Sequence, residues 1–149
     1  MKSTFQMEMA QLRLIRSVFA VNMELPAGEE RIAIGVSLKN NGEFLHDGRR
    51  AHFLQSFKTS NPGGAPFFLD VEFGALFVLN QPPLPLEQPY YIRKVFPHIV
   101  FPYLREYVAE TTRRGGFTPM ILNHDLFENE TERESGTAPA AEGEHKWVH

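Results

Sequence analysis

The stretch Val95–Phe127, VFPHIVFPYLREYVAETTRRGGFTPMILNHDLF, decides how this chain folds. Counting in Ile92, the apolar residues Val95, Phe96, Ile99, Val100, Tyr103, Leu104, Tyr107 and Val108 recur at spacings of three and four, which predicts one long helix with an apolar stripe. Pro97 and Pro102 are expected to kink it, because proline lacks the N–H that a helix interior needs. Arg113 and Arg114 suit the negative end of the helix, and Gly115 or Gly116 supplies the left-handed residue that stops it.

Ahead of the helix the period changes to two. From Leu12 to Glu24, Ile15, Phe19, Val21 and Met23 alternate with Arg16, Ala20, Asn22 and Glu24, the mark of a strand with one apolar face. Arg31–Lys39 aligns Ile32, Ile34, Val36 and Leu38, and Asn40, Asn41 and Gly42 then read as a turn. A polar piece with Asp47 and Gly48 precedes a third strand, Ala51–Thr59, and Asn61, Pro62, Gly63 and Gly64 suggest a hairpin. In Pro66–Leu79, Phe67, Leu69, Val71, Phe73, Ala75, Phe77 and Leu79 line one face, which needs a covering layer. Gln81–Pro89 holds four prolines and cannot be helical throughout. The expected fold is α+β: a four-stranded antiparallel sheet packed on one long kinked C-terminal helix.

Composition narrows the function. At 149 residues the chain fits one domain, without cysteine and with a formal charge of −3, which argues against a disulfide scaffold, thiolate ligands and a basic nucleic-acid footprint. No run of about 18 apolar residues is present, and MKSTFQMEMAQ lacks the apolar core of a signal peptide, so a soluble cytoplasmic protein without membrane insertion is expected. Thirteen phenylalanines are more than so small a core hides, which predicts exposed apolar surface.

Reactive groups are sparse. His46, His52, His98, His124, His145 and His149 are scattered, and only His145 and His149 share a helical ligand spacing, in a polar tail. Gly63-Gly64 and Gly115-Gly116 lack a Walker lysine, and no Gly-x-Ser-x-Gly elbow occurs. A carboxylate arrangement such as Asp70 with Glu72 is what the sequence leaves open to catalysis. The expectation is a non-enzyme with no metal or cofactor.

Phe101, Pro102, Tyr103, Arg105, Glu106, Arg114, Gly115, Phe117 and Phe127 form a pattern that resembles the SecB family of bacterial export chaperones, and the resemblance continues through Pro66–Leu79 and through Met23, Glu24 and Pro26. It implies an ATP-independent holdase that keeps precursor proteins unfolded and delivers them to the motor ATPase SecA. It also implies a homotetramer, a dimer of dimers with the long helices packed between the sheets. Four copies of 17.0 kDa make about 68 kDa. The matching client-groove positions are Met23, Ile32, Ile34, Val36, Phe67 and Phe127, and the SecA-docking positions, on a flat acidic sheet face, are Glu24, Phe68 and Asp70. Oligomer contacts are expected at Leu69, Val71, Phe73, Phe101, Tyr103 and Tyr107.

The sequence departs from the family in two places. Ala20 stands where the family has a fourth docking acid, and Glu128–Gly136 lacks the large apolar residues of a short helix that walls the groove. A shortened groove also resembles that of SecB-like chaperones dedicated to the antitoxin of a toxin–antitoxin pair. A third reading, of a different class, is a non-chaperone interaction or small-ligand module, which requires a closed apolar cavity between sheet and helix. The chaperone domain is placed at residues 1–127. Residues 128–149, charged and with Trp147 as the one aromatic, are expected to be disordered.

Overall fold

The computed structural model describes residues 5–23, 31–60, 65–124, 126 and 143–148. Four strands form as the alternation predicts: β1 Met7–Val21, β2 Arg31–Phe44, β3 Arg50–Ser60 and β4 Phe67–Leu79. All pairings are antiparallel, and the spatial order is β1-β4-β3-β2, a Greek key in which the first strand returns to lie beside the last. The turn expected at residues 61–64 lies outside the described residues.

A fifth strand, β5 Gly143–Val148, extends the sheet beside β2. The sheet is therefore five-stranded, and the expectation of a disordered tail is corrected for these six residues; Phe127–Glu142 lie outside the described set. The tail has too little apolar content to bury, but an edge strand is held by its backbone ladder, which leaves no apolar pattern to read.

Asn40, Asn41 and Gly42 do not turn. β2 runs through them to Phe44, and the chain reverses at residues 45–49, where the Asp47 carboxylate accepts the backbone N–H groups of Arg49 and Arg50 at 3.0 and 3.2 Å. Gly48 takes φ +69° there, a conformation that suits glycine. Gly42 is needed for space instead: a Cβ would lie 3.0 Å from the His52 carbonyl oxygen and 3.3 Å from the Phe53 ring.

β1 carries two register shifts, at Met9/Gln11 and Leu14/Arg16. The second reverses the alternation, so Phe19 and Val21 pair with the helix-facing Leu69 and Phe67, while Ile15 lies against Gly74 and Leu54 on the other face. The uniform alternation expected over Leu12–Glu24 is corrected accordingly.

The chain enters its helix through a 3₁₀ turn at Pro85–Glu87, a short α turn at Gln88–Tyr90 and a π turn at Tyr91–Val95. The long helix is Phe96–Arg114. Pro97 follows directly on the π turn and has no N–H to donate back to it, and the irregularity falls there rather than in the body of the helix. Pro102 lies inside the helix on its exposed side, where water can satisfy the freed carbonyl. At the C-terminus Gly116 has φ +92°, its N–H donates to the Arg113 carbonyl and that of Phe117 to the Thr112 carbonyl, a Schellman stop. Thr112, fully buried, accepts the Met120 N–H at 2.9 Å and so ties the segment after the helix back onto it.

The apolar stripe closes the sheet from one side. Phe96 stacks on Phe77 with ring centres 4.1 Å apart, and Phe44, Phe53 and Tyr91 surround it at 5.8–6.0 Å. Val100, Leu104 and Val108 continue the contact along the helix, and Phe19, Phe67 and Phe117 form a second aromatic cluster near its C-terminal end. Ring pairs of this kind contribute about 0.5–1.5 kcal/mol each beyond their area burial. Among the described phenylalanines only Phe5 and Phe68 are exposed, so the phenylalanine excess is largely core and the exposed apolar surface is mostly aliphatic.

Gly115 is packed, not strained. A Cβ there would lie 2.4 and 2.5 Å from Phe19, whose ring is held by Phe67 and Phe117. Gly115→Ala is predicted to destabilise the fold by about 1–3 kcal/mol in urea denaturation, as overpacking does. Gly116→Ala, with open space but φ +92°, is predicted to cost about 1–2 kcal/mol from backbone strain alone. Unchanged midpoints for both would contradict this account of the helix end.

Near that end Arg113 and Arg114 bond the Glu110 carboxylate at 2.6–3.0 Å and lower its pKa from 4.5 to about 2. Because the folded value lies below the unfolded one, this stabilisation is complete above about pH 4.5 and is lost as pH falls toward about 2. Glu110→Gln is therefore predicted to flatten the acid limb of a stability–pH curve across that interval and to leave its slope near neutrality unchanged.

Candidate functional site

The sheet's two faces have different chemistry. On the helix side Ile34, Val36, Leu38, Phe53, Phe57, Leu69, Val71 and Phe77 are buried with Met120, Leu122 and Leu126. The outer face has no helix over it among the described residues. It presents Arg13, Ile15, Arg16, Val18 and Ala20 from β1, Phe68, Asp70, Glu72 and Leu76 from β4, and His52, Leu54, Ser56 and Lys58 from β3.

Its charges are paired or mixed. Asp70 accepts a hydrogen bond from Arg16 at 2.9 Å, and the same contact raises the Arg16 pKa further. Glu72 accepts the Ser56 hydroxyl at 2.7 Å, and the Lys58 ammonium stands 5.9 Å from the centre of the Phe68 ring. The flat acidic face expected from the resemblance is thus a mixed one, with basic side chains beside both Phe68 and Asp70. Ala20 is the direct cross-strand neighbour of Phe68. Glu24 lies outside the described residues.

The groove positions divide. Ile34, Val36 and Phe67 are buried, Met23 is 87% exposed, the side chain of Ile32 and all of Phe127 lie outside what is described. Three of the six are therefore covered by the protomer itself. They share one sheet end with exposed groups: Val21 pairs with Phe67, and the Asn22 N–H donates to the Pro66 carbonyl at 2.8 Å, leaving Met23 at the rim.

Of the expected oligomer contacts, Leu69, Val71, Phe73 and Phe101 are core within one protomer. The alternation identified the apolar face, and the chain's own helix covers it as the expected sheet-on-helix packing requires; what the alternation could not show is how little area this covering leaves for a partner. Tyr103 is 46% exposed, and Tyr107 is half-buried, its hydroxyl donating to Ser17 at 2.6 Å and its ring edge-on to Phe73.

Sequence reasoning missed the exposed apolar groups outside these sets. Leu14, Ile15, Val18 and Leu54 lie on β1 and β3, Leu84, Leu86 and Tyr90 on the proline-rich approach to the helix, and Ile121 after it. The proline spacing of residues 81–89 held a signal: a segment that cannot pack as a regular element leaves its leucines outside.

No group of three or more metal-ligating side chains occurs among the described residues. A cavity of about 580 Å³ lies at the ends of β1 and β4, lined in part by Phe5, Met7, Val78 and Asn80, and another of about 170 Å³ lies on the outer face beside Ile15, Leu54 and Gly74. Neither occupies the space between sheet and helix where a small-ligand module would keep its site. No described helix is long and apolar enough to cross a membrane.

Residues 16–133 match a family model described as preprotein translocase subunit SecB. Protein-export protein SecB 1 of Gluconobacter oxydans is 38% identical over 60 residues, 40% of this chain and 34% of that protein. Protein-export protein SecB of Nitrosospira multiformis is 39% identical over 62 residues, 42% and 38% of the two chains. These matches span only about a third of the relatives' length. Among solved structures, the SecB-like chaperone Rv1957 of Mycobacterium tuberculosis, in complex with a ChAD peptide from the HigA1 antitoxin, superposes with a TM-score of 0.63 at 22% identity, covering 78% of this chain and 88% of that one. A protein of unknown function from Streptococcus agalactiae superposes at 0.54 with 8% identity, covering 81% and 99%. At such identities these two likenesses concern the fold. With the family model spanning most of the chain and the sheet-and-helix architecture found again in a SecB-like chaperone, this chain belongs to the SecB chaperone family.

Proposed function

We propose that this chain is an ATP-independent holdase that binds unfolded precursor proteins in the cytoplasm and delivers them to SecA. The observation that carries the reading is the distribution of exposed apolar side chains, from Val18, Val21 and Met23 at one sheet end to Leu84, Leu86 and Tyr90 on the approach to the helix. A holdase needs extended apolar surface and no reactive group. Leucine and methionine serve it because they contribute contact area without demanding one partner. Ile34, Val36 and Phe67 form the floor of the client surface, with Met23 at its rim.

The working form is a homotetramer in which exposed helix residues such as Tyr103 meet a second protomer, while Leu69, Val71, Phe73 and Phe101 keep each protomer folded. The chain is predicted to scatter light as a particle of about 68 kDa, four times 17.0 kDa, and at a few-fold excess to suppress aggregation of an unrelated unfolded protein without ATP. A monomer with no effect on aggregation would overturn the proposal.

A second reading, a SecB-like chaperone dedicated to the antitoxin of a toxin–antitoxin pair, is favoured by the outer face. Asp70 is paired with Arg16, Lys58 stands beside Phe68, and Ala20 replaces an acid, which together weaken the case for SecA docking there. Ion pairs at the surface contribute little to folding, so the face can be altered with the fold intact. Phe68→Ala with Asp70→Lys is predicted to weaken SecA binding at least tenfold in a surface-immobilised assay and to leave aggregation suppression unchanged. No change in SecA binding would make the dedicated chaperone the better reading.

A further inference from the structure

The β2 edge is occupied by the chain's own tail. Arg31–Val36 pairs with Gly143–Val148 in an unbroken antiparallel register, from Arg31 opposite Val148 to Val36 opposite Gly143. Beyond Val36 the same edge, Ser37–Phe44, has no strand partner among the described residues.

The register shows what this edge offers an incoming strand. Opposite the incoming strand, β2 alternates apolar Ile32, Ile34 and Val36 with small Ala33 and Gly35. In the tail, Trp147 and His145 stand opposite Ile32 and Ile34, whereas Lys146 and Glu144 stand opposite Ala33 and Gly35. Two charged residues of opposite sign thus stand at alternate positions, opposite the two small residues of β2. Ladder hydrogen bonds come from backbone, so they are available to any extended chain, and side chains at alternate positions only adjust the fit.

We propose that the β2 edge Arg31–Val36 is a strand-addition site for extended segments of unfolded clients, and that Gly143–Val148 is an internal competitor that occupies it at rest. The proposal rests on the holdase reading and adds a regulation to it. Ile34 and Val36 place the edge directly over the buried floor of the client surface. A client that displaces the tail gains the ladder and reaches that floor in one step. If the tail occupies the edge about nine-tenths of the time, apparent client affinity falls about tenfold, since only the open fraction binds.

The test uses the full chain with Lys146→Pro and Trp147→Pro together. In an antiparallel ladder neighbouring residues face opposite ways, so one of the two prolines removes a donor whichever register face bonds β2. Hydrogen exchange is read at the Arg31–Val36 amides that face β5. They are expected to be protected in the parent, to exchange fast in the variant, and to regain protection on adding either a peptide of residues 143–148 or a reduced, carboxymethylated unfolded protein. The variant is expected to bind that unfolded protein about tenfold more tightly than the parent. Binding of the unfolded protein without protection of these amides would overturn the edge as a client site and leave the holdase reading standing, whereas no binding of it by parent or variant would overturn both. Failure of the peptide to protect would overturn the strand-addition site itself, and equal client affinity of parent and variant would overturn the tail's role as competitor.

Discussion

The stacking of Phe96 on Phe77 is the contact on which the rest of the molecule depends. It joins the start of the long helix to the strand beside the edge strand β1, and it brings in Phe44 and Phe53 from the two remaining strands of the Greek key. Once the helix is fixed there, its direction is set by the second cluster of Phe19, Phe67 and Phe117. Between the two clusters Val100, Leu104 and Val108 have only one face of the sheet to meet. The helix thereby closes a sheet whose inner face is apolar but for the buried Gln55 and Thr59.

That closure moves function elsewhere. Leu69, Val71 and Phe101 hold one protomer together and have no area left to offer a partner. What stays accessible is the outer face, the rim at Val21 and Met23, the proline-rich approach to the helix and the sheet's two edges. These are mostly aliphatic and spread over a large part of the surface, a distribution suited to holding chains of varied sequence rather than to one shaped ligand. The sheet edges add unpaired backbone, which recognises extension and not side chains.

How far the residues announced this differs by element. The strict alternation of β4 and the three-and-four spacing of the helix were legible because each pattern has one physical meaning over a dozen residues or more. Gly42 was misleading: glycine serves equally for positive φ and for close approach, and here the need was room beside Phe53. The β1 bulge at Leu14/Arg16 left no mark, since an inserted residue looks like any other in the alternation. Of the groove positions matched by resemblance, Ile34, Val36 and Phe67 prove buried and Met23 exposed, because a match to a family pattern fixes a place in the sheet and not the exposure of the side chain there. The tail strand was illegible for a different reason, its partner being backbone.

Calorimetry with a permanently unfolded polypeptide, repeated over a range of temperatures, tests the central claim that accessible apolar surface binds unfolded chains. The account predicts association with a clearly negative heat-capacity change, the mark of apolar burial, and no association with the same polypeptide in its folded form. Equal binding of the folded form, or binding with a heat-capacity change near zero, would contradict it.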